Sequence, residues 1–206
     1  MSKIKHWDGP GLEAWAPWTP EEAAGVLKGV DAPWCVVGGW AIDLFLGRKT
    51  REHEDLEIAI PRTYFPKVRS HLRRFALHAV GDGEVRSLTD DAVLPADKHQ
   101  CWVLDPGTNK WRMDVMSEPG DALKWVYRRD ERINALREWM VAQSDRNVPY
   151  LVPEAVLLYK AKAETRPKDE ADFAMCLPHL SDAARDWLRN ALYRVHPDHP
   201  WLERLN

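Results

Sequence analysis

Asp55-Leu56-Glu57 sets two carboxylates two residues apart in a stretch, Asp55 to Ile60, that alternates like a strand. Side chains alternate across a strand, so Asp55 and Glu57 share one face while Leu56, Ile58 and Ile60 face a core. Carboxylates this close repel one another, and a divalent cation with oxygen ligands offsets the repulsion. A third carboxylate, Asp114, sits in a second short alternating stretch, Arg112-Met113-Asp114-Val115-Met116. Three carboxylates can hold two metal ions about 3.5–4 Å apart, one activating an attacking hydroxyl and the other neutralising a leaving pyrophosphate.

The residues upstream supply the complementary chemistry. Trp34-Cys35-Val36-Val37 reads as a short buried strand, followed by Gly38-Gly39 and by Trp40 to Leu46, which is apolar nearly all round and ends at Gly47. Glycines let backbone approach a ligand closely, and a helix N-terminus favours anions. The loop that follows is basic, with Arg48, Lys49, Arg51 and His53. A triphosphate needs both parts: amide and cationic donors for its oxygens, and carboxylates to hold magnesium. Taken singly, a Gly-Gly pair is usually a turn and an Asp-x-Glu a solvated strand face; the joint spacing, with Asp114 later, favours a site.

Individual polar residues have two readings each. Arg51 binds phosphate or pairs with Glu52 or Glu54. Arg48 binds phosphate or answers the dipole of the helix it follows. His53 is evenly balanced between phosphate binding and a structural role. Lys160, on an otherwise apolar helical stretch, either snorkels or reaches the triphosphate. Asp169 and Asp172, three apart, read first as a solvated helix face and second as an attraction for a cationic acceptor. Asp82 and Glu84 beside a Gly-rich turn are weak acceptor candidates, and His196 and His199 look like a packed tail.

The elements needed to position these groups fall into an order. Met1 to Trp18 is an irregular arm, and Thr19-Pro20-Glu21-Glu22 caps a helix running to about Val30. A basic helix over Tyr64 to Phe75 is followed by short strands at Leu77–Val80 and Glu84–Leu88. Gln100–Leu104 and Lys110–Met116 form a hairpin across the Asp105-Pro106-Gly107-Thr108-Asn109 turn. Beyond Pro119-Gly120 helices are expected at Asp121–Arg128, from Pro153 to about Ala163, at Asp169–Met175, and after Ser181. Strands early and helices late indicate an α+β chain: a small mixed β-sheet with flanking helices over 1–118, then a helical C-terminal subdomain over 119–206.

Gly38-Gly39-Trp40 with Asp55, Glu57 and Asp114 resembles the DNA polymerase β-like nucleotidyltransferase superfamily. The fuller stretch from Gly38 to Arg48, with Arg51, His53 and Asp55, is similar to the branch of aminoglycoside 2″-adenylyltransferases and lincosamide nucleotidyltransferases. So are Pro153 to Lys162, Lys168 to Phe173, and the ending His196-Pro197-Asp198-His199-Pro200-Trp201-Leu202. The resemblance spans roughly Pro33 to Leu202 and is thin between Arg62 and Gln100. It implies a nucleotidyltransferase fold, Mg²⁺, and ATP or another nucleoside triphosphate as co-substrate. It implies that Asp55 and Glu57 bind metal, and that Asp114 is the third ligand or the general base. Gly38, Gly39, Arg51 and Lys160 would meet the phosphates, with Arg48 and His53 as further candidates. The superfamily often has Ser after the first glycine, where this chain has Gly39 followed by Trp40, and often has Asp where this chain has Glu57.

The expected reaction is transfer of a nucleoside monophosphate, most simply AMP, to a hydroxyl of a small molecule such as an aminoglycoside- or lincosamide-like antibiotic. Three alternatives stay open: a toxin–antitoxin nucleotidyltransferase acting on protein or tRNA, an inactive binding protein on the same fold, and a metal-dependent phosphoester hydrolase. The chain has 206 residues with 29 basic and 32 acidic side chains, so no basic excess marks a nucleic-acid partner. Three cysteines far apart point to a reducing, cytoplasmic setting, and no run of about 18 apolar residues provides a membrane span.

Overall fold

The computed structural model describes residues 9–89 and 93–205; residues 1–8 of the expected N-terminal arm lie outside them. Alternation builds the centre of the sheet. β2 (Glu57–Pro61) runs parallel to β6 (Lys110–Glu118), with Glu57 opposite Asp114 and Ile58 opposite Val115. β5 (Gln100–Asp105) pairs antiparallel with β6, placing Trp102 opposite Asp114. One face of these strands is therefore the core, with Ile58, Ile60, Cys101, Val103, Met113 and Val115 all fully buried. The other face carries Glu57, Asp114, Trp102 and Gln100.

The remaining strands complete an eight-stranded mixed sheet. β3 (Ala76–Gly81) and β4 (Glu84–Ser87) form a hairpin on the β5 side. On the β2 side lie β1 (Cys35–Val36), β10 (Pro149–Leu151) and β9 (Val141–Gln143), giving the order β4-β3-β5-β6-β2-β1-β10-β9. Val36 pairs in parallel with Tyr150. The sheet was expected within residues 1–118, but its far edge is built from residues beyond Pro119, because β1 is too short to close the sheet alone.

A second correction concerns Asp121–Arg128, expected as a helix. It contains β7 (Lys124–Val126), paired with β8 (Asn134–Leu136) in a separate two-stranded ribbon. The Asp121 carboxylate accepts the Leu123 and Lys124 amides, and Gly120 adopts φ +95°, so the chain turns where a helix would begin.

Helices flank the sheet. α1 (Pro20–Val26) begins with a complete capping box between Thr19 and Glu22, as its sequence dictates. α2 (Gly38–Leu46) ends at Gly47 in the left-handed conformation. α3 (Phe65–His71) follows a short 3-10 turn, and α4 (Arg137–Met140) links β8 to β9. The C-terminal group is α5 (Pro153–Lys160), α6 (Pro167–Cys176), α7 (Asp182–Val195, capped by Ser181) and α8 (Trp201–Arg204). Among the described residues no helix is long and apolar enough to cross a membrane.

The end of the chain packs as a unit. Trp201 is buried, stacks on Phe173 with ring centroids 4.1 Å apart, and donates its indole N–H to Glu170 at 2.6 Å. His199 Nδ1 accepts the Trp201 amide at 3.2 Å. This ending holds α6 in place, and α6 carries two carboxylates of the site. Removing a buried indole costs about 3–5 kcal/mol. Trp201→Ala is therefore expected to lower the unfolding free energy by about that amount in urea titration; a loss below about 1 kcal/mol would show that the tail does not anchor α6.

Candidate active site

The two glycines at the start of α2 act through the side chains they admit. Gly38 has φ +66°, and a Cβ there would strike the Glu57 carboxylate. A Cβ on Gly39 would overlap the Arg51 guanidinium and lie 2.7 Å from His53 Nδ1. The Gly-Gly pair thus lets Glu57, Arg51 and His53 close over the N-terminus of α2, a nine-residue helix whose first amides have no side-chain cap.

Between α2 and β2 the loop is clasped from within. His53 Nε2 meets Asp43 Oδ2 at 2.6 Å, and the Thr50 amide donates to Asp43 Oδ1 at 3.1 Å. Burial raises the Asp43 pKa, but hydrogen bonds from His53 and Thr50 outweigh it and hold the carboxyl below its ordinary value. The Trp40 indole packs on the His53 ring, centroids 4.4 Å apart, and its N–H donates to the Asp55 carbonyl at 3.1 Å. His53 is committed to Asp43, so it shapes the loop that presents Asp55. Trp40 does the same from the helix. Arg48 is exposed and lines a separate cavity of about 520 Å³ beside α1 and β9, so the structure does not bring it to the carboxylates.

Asp169 and Asp172 overturn the expectation of a solvated helix face: both are fully buried. Lys160 Nζ lies 3.1 Å from Asp169 and 2.7 Å from Asp172. Arg51 reaches Asp172 at 3.4 Å, and Arg166 grips Asp169 at 2.6 and 3.1 Å. Three cations and two carboxylates thus form one chain of ion pairs under the site. Arg51 pairs with α6 instead of Glu52 or Glu54, and Lys160 is buried instead of snorkelling.

Next to this chain a cavity of about 300 Å³ opens between the sheet and α5. Gly38, Glu57 and Lys160 line it, while Gly39, Arg51, Asp55 and Asp114 adjoin those lining groups. Other polar lining residues, none of them among the candidates from sequence, include Glu118, Arg128, Arg129, Tyr159, Lys162 and Arg166, together with His99 and Gln100. Glu118 had a legible signal, since it follows Asp114 by four residues and so shares its strand face. Arg128 and Arg129 sit in a turn of the β7–β8 ribbon and had none. Asp82, by contrast, pairs with Lys98 at 2.6 Å.

The model of the aminoglycoside-2″-adenylyltransferase family matches residues 22–175 of the sequence. The chain belongs to the aminoglycoside-2″-adenylyltransferase family. It is a nucleotidyltransferase, on the mixed sheet and helices that the fold requires. Its fold is shared with the antibiotic-resistance factor ANT(2″)-Ia in solution (15% identity, TM-score 0.55, 86% of this chain and 90% of that one). It is shared with crystalline ANT(2″)-Ia in complex with adenylyl-2″-tobramycin (15%, TM-score 0.54, 84% and 95%). A third similar structure is the lincosamide antibiotic adenylyltransferase LnuA with lincomycin bound (15%, TM-score 0.52, 75% and 91%). No curated protein sequence matches the chain.

In this adenylyltransferase-family chain the three carboxylates are coupled by charge. Burial, then repulsion from Asp55, pushes Glu57 up to about 7. Burial, then repulsion from Glu57, pushes Asp114 up to about 8, although Gln100 and Trp102 donate to its Oδ2 at 2.8 and 3.2 Å. Burial also raises Asp55. Among the described residues no three His, Cys, Asp or Glu side chains form a converged metal cage. The trio nevertheless suits a hard divalent cation: the donors are all carboxylate oxygens, and Asp114 Oδ1 is buried with no hydrogen-bond partner.

These shifts fix a pH dependence. In the unfolded chain Asp and Glu titrate near 4, whereas in the fold Glu57 and Asp114 hold their protons to about 7 and 8. A fold that binds protons more tightly than the unfolded chain loses stability as pH rises between those values. In chelator, the melting temperature is expected to fall from pH 5 to pH 8. Asp114→Asn should flatten that fall and raise the melting temperature at pH 8. A slope unchanged by Asp114→Asn would contradict the coupling.

Proposed function

We propose that the chain transfers the adenylyl group of ATP, with Mg²⁺, to a hydroxyl of a small antibiotic-like acceptor of the amino-sugar or lincosamide type. The observation that carries this reading is the Glu57–Asp114 cross-strand pair, with its unpartnered Asp114 Oδ1, beside a cationic cavity at the N-terminus of α2. The acceptor class rests on the family and on the lincomycin and adenylyl-2″-tobramycin held by the similar structures. A cytoplasmic setting, where nucleoside triphosphate is plentiful, belongs to the same reading. A division into a 1–118 catalytic part and a 119–206 helical part does not, since the cavity draws on both.

Asp55, Glu57 and Asp114 would hold the metal. Bound Mg²⁺ would supply charge for the triphosphate and ease ionisation of the three carboxylates. The protein's own groups do the rest. The α2 N-terminus, Arg51, Lys160 and Arg166 orient and neutralise phosphate oxygens. The acceptor oxygen forms a bond to the α-phosphorus as the α–β bridging bond breaks, and the electron pair leaves on pyrophosphate. The hydroxyl proton passes to Asp114, or to solvent with Asp114 helping the metal to lower the hydroxyl pKa. Catalysis is chiefly positioning and charge neutralisation.

Asp55→Asn, Glu57→Gln and Asp114→Asn are each expected to lower kcat by about 10²–10³ with the fold retained. Pyrophosphate release from ATP, screened over aminoglycoside and lincosamide acceptors, reads this out. Near-normal turnover in Asp114→Asn would remove it from the catalytic set, and acceptor-independent release would indicate hydrolysis.

A further inference from the structure

We propose that Glu118 and Tyr159 are positioning residues that aim Arg128 and Arg129 into the cavity, where the two arginines clamp the terminal phosphates of the nucleotide and the pyrophosphate that leaves. The proposal rests on the transfer reading above for the identity of its polyanion. Its geometry stands apart from that reading.

Both arginines come from the turn that follows β7, and both are fixed by one residue of α5. The Tyr159 hydroxyl donates to Glu118 Oε2 at 2.9 Å and accepts the Arg128 amide at 3.3 Å. The Tyr159 carbonyl accepts Arg129 Nη1 at 3.0 Å, and the Arg129 guanidinium lies 5.4 Å from the centre of the Tyr159 ring. Tyr127, just before the pair, packs its ring 4.7 Å from that of Tyr159. Tyr159 therefore joins sheet, helix and ribbon at the point where the two arginines enter the cavity.

Glu118 attracts Arg128 without tying it down. Its Oε1 lies 3.6 Å from Arg128 Nε, an ion-pair distance longer than a hydrogen bond, and that Nε is buried with no hydrogen-bond partner. The second carboxylate oxygen is taken by Tyr159. No carboxylate among the described residues pairs with Arg129 or with Lys162. Lys160, Lys162 and Arg166 share the same cavity, so five cationic side chains line it against the two acids Glu57 and Glu118. Desolvation, then repulsion from Arg166, Arg129 and Lys160, holds the Lys162 pKa down. A crowd of cations with forked donors at one wall suits a polyanion with oxygens on several phosphorus atoms. During transfer the bond from the α-phosphorus to the bridging oxygen breaks. The electron pair moves onto pyrophosphate, where two guanidiniums already in place meet the growing charge.

The test uses the full-length chain and isothermal titration with inorganic tripolyphosphate in chelator, followed by steady-state kinetics. Arg128→Gln and Arg129→Gln are each expected to weaken tripolyphosphate binding about 10-fold or more. Tyr159→Phe keeps the ring and removes the hydroxyl; it should weaken binding several-fold in the wild type and add little in the Arg128→Gln background. In kinetics, Tyr159→Phe and Glu118→Gln should raise KM for nucleotide and leave KM for acceptor unchanged, which a general loss of packing would not do. Tripolyphosphate binding untouched by both arginine variants would overturn the clamp. Full additivity of Tyr159→Phe with Arg128→Gln would overturn the positioning role, and Tyr159→Phe decides that point if Glu118→Gln does not fold. Arginine-dependent tripolyphosphate binding by a chain that transfers no nucleotide would support the clamp and overturn the transfer reading instead.

Discussion

The crowding of three carboxylates at two neighbouring strands, with Asp114 buried and Asp55 and Glu57 partly so, is the constraint from which the rest of the site follows. Glu57 and Asp114 lie directly across from each other, and Asp55 is two residues along the same chain. Isolated charges do not survive in an apolar interior, so such a cluster persists only with donors and cations disposed around it. Gln100 and Trp102 on β5 hold one oxygen of Asp114. Lys160, Arg166 and Lys168 lower the cost for Glu57 from the helical side. The absence of a Cβ on Gly38 gives the Glu57 carboxylate its place. Each of these features would be a liability alone and is explained by the cluster.

The same constraint joins the two ends of the chain. Arg51, in the loop before the carboxylates, and Lys160, at the end of α5, share Asp172 of α6. Breaking one partner of a buried ion pair strands the other, at a cost of about 3–5 kcal/mol. The network therefore fixes the separation between the α2 N-terminus and the C-terminal helices, and with it the width of the cavity. The stacked Phe173 and Trp201 secure α6 from the far side. What resembles a separate helical part is in this sense one wall of the active site.

Much of this was legible because strand periodicity is strict. Asp55 and Glu57 could be assigned to one face from spacing, Asp114 was legible as a carboxylate on a second short strand, and Gly38-Gly39 and the Thr19–Glu22 capping box marked a turn and a helix start. Other features depended on tertiary pairing. Asp169 and Asp172 look solvated by helical spacing, and only the arrival of Lys160, Arg51 and Arg166 makes their burial tolerable. Lys124-Trp125-Val126 is too short to show its own period, so the ribbon and the arginines that follow it were hidden. Trp40, after Gly39, stood out as a departure from the wider superfamily pattern. The structure explains it through the indole bond to the Asp55 carbonyl and the packing on His53.

The most direct test of the central claim is calorimetric titration of ATP, with Mg²⁺ and in chelator, into the wild type and the Asp55→Asn/Glu57→Gln double variant. If the buried carboxylates exist to share a divalent cation with a triphosphate, binding to the wild type strengthens at least about 10-fold when Mg²⁺ is present, and the double variant loses that gain. Binding that is equally tight with and without Mg²⁺, and undiminished in the double variant, would contradict the account.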